Sequence, residues 1–479
     1  MMPPQRPSRR AFLKRAGGGL AGALLGTGIC AAEAPRAHPT IVLIVMDTVR
    51  RDHLSCYGYK RRTSPFLEKL AKTARVYQNA YATSCWTFPS HASLFTGLYP
   101  VSHGVHWEHR QAEEGLVTLA EVLRDHGYQA LGLSENIVVN AKSGFAQGFE
   151  RFTHPIQMLG RGKAAQTMFQ EIVAQRGDKP LFVFVNLMAA HAPYNSSRQF
   201  LGTFLSDPAY ADAYRIDILD TIIKGKETLG EKRLTHLTEH YDAEVRYVDY
   251  AVEQMAGALQ SAGLWDSTLF VVTSDHGENL GDHDLVDHQL CLYESLVHIP
   301  LIVHYPKCFP PGSQEENPVQ ITDVFPTVLR VAGIDPEAYP AQGVSLLPGR
   351  TCAEREILCE YYRYLGFTTR KGPPTPQAET VWDDPRMQKF DRRLKSIRVG
   401  PMKYIRGSDG SEELYDLQND PNETQSLVDD ERFAAAKSKL ASRLDKRMQE
   451  HRAAYRPPSE ESMPFDEKKD QELKALGYL

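Results

Sequence analysis

The chain has 479 residues, 42% hydrophobic and 24% charged, with a formal net charge of -5. That length holds one large or two ordinary domains, and the apolar fraction builds a sizeable core, which excludes a disordered chain. Mild acidity without a strongly basic block in the mature region argues against nucleic acid as a partner.

The N-terminus carries Ser8-Arg9-Arg10-Ala11-Phe12-Leu13-Lys14, then a glycine- and alanine-rich apolar stretch to about Ala32. This is the pattern of a twin-arginine export signal, too short and too weakly hydrophobic for a permanent membrane anchor. Ala32-Glu33-Ala34 offers a small-x-small cleavage site. The expectation is a leader over 1–34, a mature chain from near Pro35, a periplasmic or secreted bacterial protein, and the twin-arginine machinery as export partner. Cys30 follows the bulky Ile29, which disfavours lipoprotein processing. The later cysteines form no Cys-x-x-Cys pattern, and no bridge is assigned.

Thr40–Met46 is a continuous β-branched run, the mark of a strand buried on both faces, and it ends at Asp47. In residues 83–104, Pro89 and Ser90 read as a helix start and Gly97 as its stop. Thr87 would then lie just before a helix N-terminus, where amides and dipole favour an anion. Locally it reads either as part of a helix cap or as a nucleophile toward a phosphate or sulfate ester. Thr118-Leu-Ala-Glu121 is a capping box, Gly127 closes its helix, and a strand follows over 128–133. Residues 180–187 form another buried strand, leading to His191. Residues 195–235 read as a polar surface insertion, and 237–262 as a long amphipathic helix. A strand over 268–273 runs into Asp275-His276, and another spans 299–304.

This alternation predicts an α/β fold: a doubly wound, mostly parallel sheet with helices on both faces. Beyond residue 347 the pattern changes to an irregular stretch, short strands over 394–417 and a helix over 431–452. We therefore expect a catalytic domain over 35–347, a small C-terminal antiparallel α+β subdomain over 348–457, and a tail over 458–479.

Asp47, His191 and Asp275-His276 all stand at strand ends, where open α/β sheets bind ligands. Singly, each has an ordinary reading as a turn aspartate or a satisfied core histidine. Together with Thr87 they suit one divalent metal that activates a hydroxyl and polarises an ester oxygen. His191 or His288 would protonate the leaving group or hold a non-bridging oxygen, with His91 as a further candidate.

The ordered motifs carry a resemblance. They are Asp47-Thr-Val-Arg, Pro89-Ser-His-Ala-Ser-Leu-Phe-Thr-Gly97, His103-Gly104, His191-Ala-Pro, Ser274-Asp-His-Gly-Glu278, Gly281-Asp-His283, Tyr293-Glu-Ser, Asp323-x-x-Pro326-Thr327 and Glu413-Leu-Tyr-Asp-Leu417. From Thr40 to about Asn422 the chain resembles the sulfatase family of the alkaline phosphatase superfamily.

The resemblance implies a sulfatase-like fold and an ester hydrolase with a divalent metal (zinc, manganese or calcium) held by Asp47, Thr87, Asp275 and His276. It also marks departures. The family's Cys-x-Pro-Ser-Arg, source of formylglycine, aligns with Thr87-x-Pro89-Ser90-His91, while Cys85 is out of register. The second expected aspartate is Thr48, the expected asparagine is His276, and His288 stands for the usual lysine. This set is similar to phosphoethanolamine transferases, lipoteichoic-acid synthase and nucleotide pyrophosphatases. An acidic ligand for a second metal, expected four residues before His191, is Leu187, so one metal is expected.

A formylglycine hydrate can expel sulfate by eliminating to the aldehyde. Threonine cannot, so a Thr87 ester must be opened by attack at phosphorus or sulfur. The expectation is a hydrolase of sulfate or, preferred on mechanism, phosphate or phosphonate esters. The alternatives are a transferase to an alcohol acceptor and a non-catalytic binding protein on the same fold.

Overall fold

The computed structural model describes residues 38–106, 109–154, 163–194, 199–211, 230–362 and 388–453. The expected leader and tail lie outside these residues, as do parts of the stretches 195–235 and 348–392.

The main sheet contains β1 (Thr40–Met46), β2 (Arg75–Tyr81), β3 (Gln129–Ser134), β4 (Arg151–Thr153), β5 (Leu181–Leu187) and β6 (Thr268–Thr273). A small hairpin of β7 (Asn279–Leu280) and β8 (Val286–Asp287) precedes β9 (His298–His304), β10 (Ser313–Glu315) and β11 (Val319–Gln320). The spatial order is β10-β2-β9-β6-β1-β5-β3-β4, with β11 also on β2. β9 is antiparallel to both its neighbours, and the other pairings are parallel. This is the mostly parallel sheet expected from the apolar runs. Ile41 to Val45 are fully buried, and each such side chain stabilises the fold by about 1.5–3 kcal/mol before entropy is counted.

The helices that frame the sheet are α1 (Pro65–Ala71), α2 (Thr87–Thr96), α3 (Leu119–Asp125), α4 (Lys163–Ala174), α5 (Gly230–Ser261) and α6 (Val324–Val331). The capping box of α3 forms as read, with Thr118 and Glu121 each accepting the other's backbone N–H. α2 begins earlier than the Pro89-Ser90 reading placed it. Thr87 is its first residue and Trp86 precedes it. Pro89 sits in the first turn, whose N–H groups have no helical partner to lose. Ser90 is no cap; its hydroxyl donates to Ser84 O at 3.1 Å. Gly97 ends α2 at φ 69°, and a Cβ there would stand 3.0 Å from Phe325 and Ala341. Only glycine lets α2 pack so closely on α6.

β2 is a strand the sequence did not announce. Arg75-Val-Tyr-Gln-Asn-Ala-Tyr81 mixes polar and apolar residues because β2 lies toward the sheet's edge, with Arg75, Gln78 and Asn79 only partly buried. It delivers the chain to Thr87.

A second, antiparallel sheet has the order β12 (Glu356–Tyr361), β13 (Leu394–Val399), β14 (Met402–Gly407) and β15 (Glu412–Asp416). β12 falls within the stretch read as irregular. α7 (Ala434–Ala453) buries Leu440, Leu444 and Met448 against Leu358, Ile397, Tyr404 and Leu414, and Tyr99 and Val101 of the main body complete that core. The two sheets are also joined by buried charge: Lys403 Nζ lies 2.9 Å from Glu294 and 2.8 Å from Glu423. Among the described residues all cysteines are free, and no helix is long and apolar enough to cross a membrane.

Candidate active site

β6, β1, β5 and β3 are adjacent and parallel, so their C-terminal ends release the chain at one edge. β1 ends one residue before Asp47, β6 two before Asp275, β5 four before His191 and β3 two before Asn136. β2 runs the same way and feeds α2, which brings Thr87 to that edge. The topology thus gathers residues far apart in sequence into one buried cluster.

Thr87 Oγ1 lies 3.2 Å from His276 Nε2. The same nitrogen lies 3.2 Å from Asp275 Oδ2, a close contact rather than an aligned hydrogen bond. His276 Nδ1 meets Gly277 O at 2.9 Å, which turns Nε2 toward the cluster. Asp275 Oδ1 accepts from the backbone N–H of Thr48 at 3.3 Å and of His276 at 3.0 Å. Asp47 Oδ2 accepts from Asn136 Nδ2 at 2.7 Å and Asn186 Nδ2 at 3.1 Å. The remaining oxygens, Asp47 Oδ1 and Asp275 Oδ2, are buried without a hydrogen-bond donor.

The electrostatics follow from this burial. Loss of water and then the nearby Asp275 charge push the Asp47 carboxyl up to about 7. Burial opposes ionisation of Asp275 as well, but His276 outweighs it and holds that carboxyl well below its ordinary range. Two buried carboxylates with orphaned oxygens and an inward imidazole nitrogen, all within 4.8 Å of one another, fit a divalent cation.

The other candidates gather here too. His288 stacks on His276 with ring centroids 4.6 Å apart, and His191 meets His288 edge-on at 4.9 Å. His288 Nδ1 lies 2.8 Å from Asp287 Oδ1 and 3.3 Å from Glu278 Oε1, while Nε2 is buried without a partner. Burial would discharge this ring, yet Asp287 and Glu278 hold its pKa well above the ordinary histidine value. His191 Nδ1 meets Ala192 O at 2.7 Å. His91 differs: Nδ1 lies 3.0 Å from Thr87 O, and Nε2 meets Asn186 Nδ2 at 3.0 Å. Both of its nitrogens are engaged, and burial lowers its pKa.

Sequence reading did not single out Asn136 or Asn186. Asn186 carried a usable signal: it is the one amide inside the apolar run Leu181–Leu187, and a buried amide needs partners. Asn136 lay in an unremarkable loop and gave none. Arg50 appeared only as part of a motif. Its guanidinium pairs with Asp52 at 2.7 Å and Asp282 at 2.6 Å and donates to Glu278 O at 2.9 Å, which ties the end of β1 to the segment carrying His288. Gly277 leaves room for Arg50, whose Cγ would stand 3.1 Å from a Cβ there, and lets the backbone pass Ser295 O, which would stand 2.0 Å from it.

The chain is similar to known proteins over most of its length. Residues 39–334 match the family model described as Sulfatase. The chain is similar to an uncharacterised sulfatase, YidJ, of Escherichia coli (24% identical, covering 87% of this chain and 88% of the relative). It is also similar to a Δ4,5-hexuronate-2-O-sulfatase of Bacteroides thetaiotaomicron (21%, covering 90% and 93%). In fold it matches the phosphonate monoester hydrolase of Agrobacterium radiobacter, with TM-score 0.67, 18% identity and coverage of 88% and 99%. With its family model spanning more than half of the sequence and its sheet and site built as described, the chain belongs to the sulfatase family of ester hydrolases within the alkaline phosphatase superfamily.

Proposed function

We propose that this protein hydrolyses phosphate or phosphonate esters, in preference to sulfate esters, with Thr87 as the nucleophile. The observation that carries the reading is the Thr87 hydroxyl at the start of α2, 3.2 Å from His276 Nε2. It stands where the family's formylglycine precursor is expected. Asp47, Thr87, Asp275 and His276 would hold one divalent cation, which supplies the Lewis acidity that activates a hydroxyl and polarises an ester. Replacing a carboxylate and an amide by Thr48 and His276 favours zinc over calcium, because an imidazole nitrogen suits the softer ion.

The chain's residues then divide the work. Thr87 Oγ1, its proton released to solvent beforehand, attacks phosphorus; the Oγ1–P bond forms and the bond to the alcohol oxygen breaks. His288, held through Nδ1 by Asp287 and Glu278, presents Nε2 to donate a proton to the departing oxygen, and His191 beside it binds a non-bridging oxygen. Water next attacks phosphorus, returning a proton to His288 Nε2, and the Oγ1–P bond breaks to free Thr87. His91 bonds the Thr87 carbonyl and Asn186, so we assign it to positioning the nucleophile and Asp47 rather than to proton transfer. Export by the twin-arginine route to the periplasm belongs to the same reading.

The mature chain, metal-loaded, is assayed on aryl phosphate, phosphate diester, phosphonate and aryl sulfate beside Thr87→Ala, with bound metal measured directly. The reading expects Thr87-dependent turnover highest on a phosphorus ester and product formed with water. Sulfate turnover far above the rest would overturn the phosphorus preference. Transfer to added alcohols would make the protein a transferase, and no metal with no turnover would make it a binding protein.

A further inference from the structure

Thr48 links the two carboxylates of the catalytic cluster. It follows Asp47 at the end of β1, is fully buried, and has φ 58°. A β-branched residue in the left-handed region is a genuine outlier, and such strain persists only where the surroundings hold it. The turn sends neighbouring N–H groups to different partners. Asp47 N–H donates to Leu187 O at 2.9 Å and Val49 N–H to Met46 O at 3.1 Å, whereas Thr48 N–H reaches Asp275 Oδ1 at 3.3 Å. The strained residue thereby ties the end of β1 to the carboxylate that follows β6.

What holds Thr48 comes from α5. Tyr241 is fully buried there, and its hydroxyl donates to Thr48 O at 2.7 Å while accepting from Arg50 N–H at 2.8 Å. One phenol grips the chain on both sides of Val49, through its donor and a lone pair. His53 and Tyr194 meet the ring edge-on, with centroids 5.2 and 5.6 Å away, and fix its direction. The hydroxyl of Thr48 itself gives no help, since Oγ1 is buried without a hydrogen-bond partner.

We infer that Tyr241 is a positioning residue for the cation cluster, a role that rests on the metal reading proposed above. Its phenol keeps Thr48 in the left-handed backbone, which aims the Thr48 N–H at Asp275 Oδ1 and leaves Asp275 Oδ2 for the cation. Both hydrogen bonds go to backbone, so Tyr241 acts through Thr48 and touches no reacting atom. Tyr241→Phe keeps the buried ring and removes only the grip. Thr48 then relaxes, its N–H leaves Asp275, and the carboxylate loses a donor. Groups that hold metal ligands from behind are worth about 10–100-fold in metal affinity.

The mature chain is compared with Tyr241→Phe, with Tyr241→Phe combined with Thr48→Gly, and with Tyr77→Phe. The last removes another buried phenol bond of similar length, to Leu346 O at 2.8 Å. Hydrogen exchange at the residue 48 amide is read by mass spectrometry on metal-free protein, and zinc affinity by competition with a chelating dye. Tyr241→Phe should speed that exchange about tenfold or more and weaken zinc binding about tenfold. Adding Thr48→Gly should restore most of the lost affinity, because glycine takes a positive φ without support. Tyr77→Phe should leave both readings unchanged. Exchange and affinity unaltered in Tyr241→Phe, an equal loss in Tyr77→Phe, or a loss that Thr48→Gly does not recover would overturn the inference. If the unaltered chain takes up no zinc, the metal reading fails, and exchange at residue 48 still decides whether Tyr241 holds it.

Discussion

Two buried groups of the same composition lie side by side in this protein, each with two carboxylates and one histidine. In Glu278, Asp287 and His288 the imidazole sits between the carboxylates, at 3.3 and 2.8 Å, and supplies its own counter-charge. In Asp47, Asp275 and His276 the carboxylates keep oxygens that nothing donates to, and the imidazole nitrogen faces inward beside a hydroxyl. The first group engages its imidazole between the carboxylates and leaves His288 Nε2, with Glu278 Oε2, unpartnered. The second offers two orphaned oxygens and an imidazole nitrogen that a cation would satisfy together. Residue type alone does not separate a metal centre from an oriented acid; the direction of the imidazole does.

The contrast can be tested from its strongest consequence down. Thr87→Ala should lower turnover about a thousandfold or more without changing the melting temperature appreciably, as seen by steady-state kinetics beside a thermal melt. Asp275→Asn should strip the cation, measured as metal per chain. In the unaltered protein, a chelator should remove the stabilisation that metal at about 100 times its dissociation constant provides, about 2.7 kcal/mol. Asn136→Ala frees one side of Asp47 and should weaken metal affinity about 10–100-fold, read by competition with a chelating dye. Glu278→Gln should lower kcat about tenfold with metal content unchanged. If it is instead Glu278→Gln that loses the metal, the two groups have been assigned the wrong way round.

Much of this was legible in the sequence. The runs Thr40–Met46, Leu181–Leu187 and Thr268–Thr273 announce central strands because both faces are buried, and the polar residues after them mark the ligand edge. β2 and β12 were not legible. β2 carries the mixed pattern of a strand near the sheet's edge, and β12 lies inside a proline- and charge-rich stretch that hides it. At the site, Asp47, Thr87, His191, Asp275, His276 and His288 could be named from strand ends and motifs. Their partners Asn136 and Asn186 could not, because an amide declares its role only through what it touches. Ser90 looked like a cap by residue type, whereas the chain's entry from β2 starts the helix at Thr87.

The central claim is that Thr87 itself becomes esterified. The metal-loaded chain is mixed with a fast-leaving aryl phosphate, quenched in acid within the first turnover, and its peptides are mapped by mass spectrometry. The account predicts a phosphoryl group on Thr87, formed no more slowly than the aryl alcohol is released and absent from Thr87→Ala. Turnover with no adduct on Thr87, or an adduct on another residue, would contradict it.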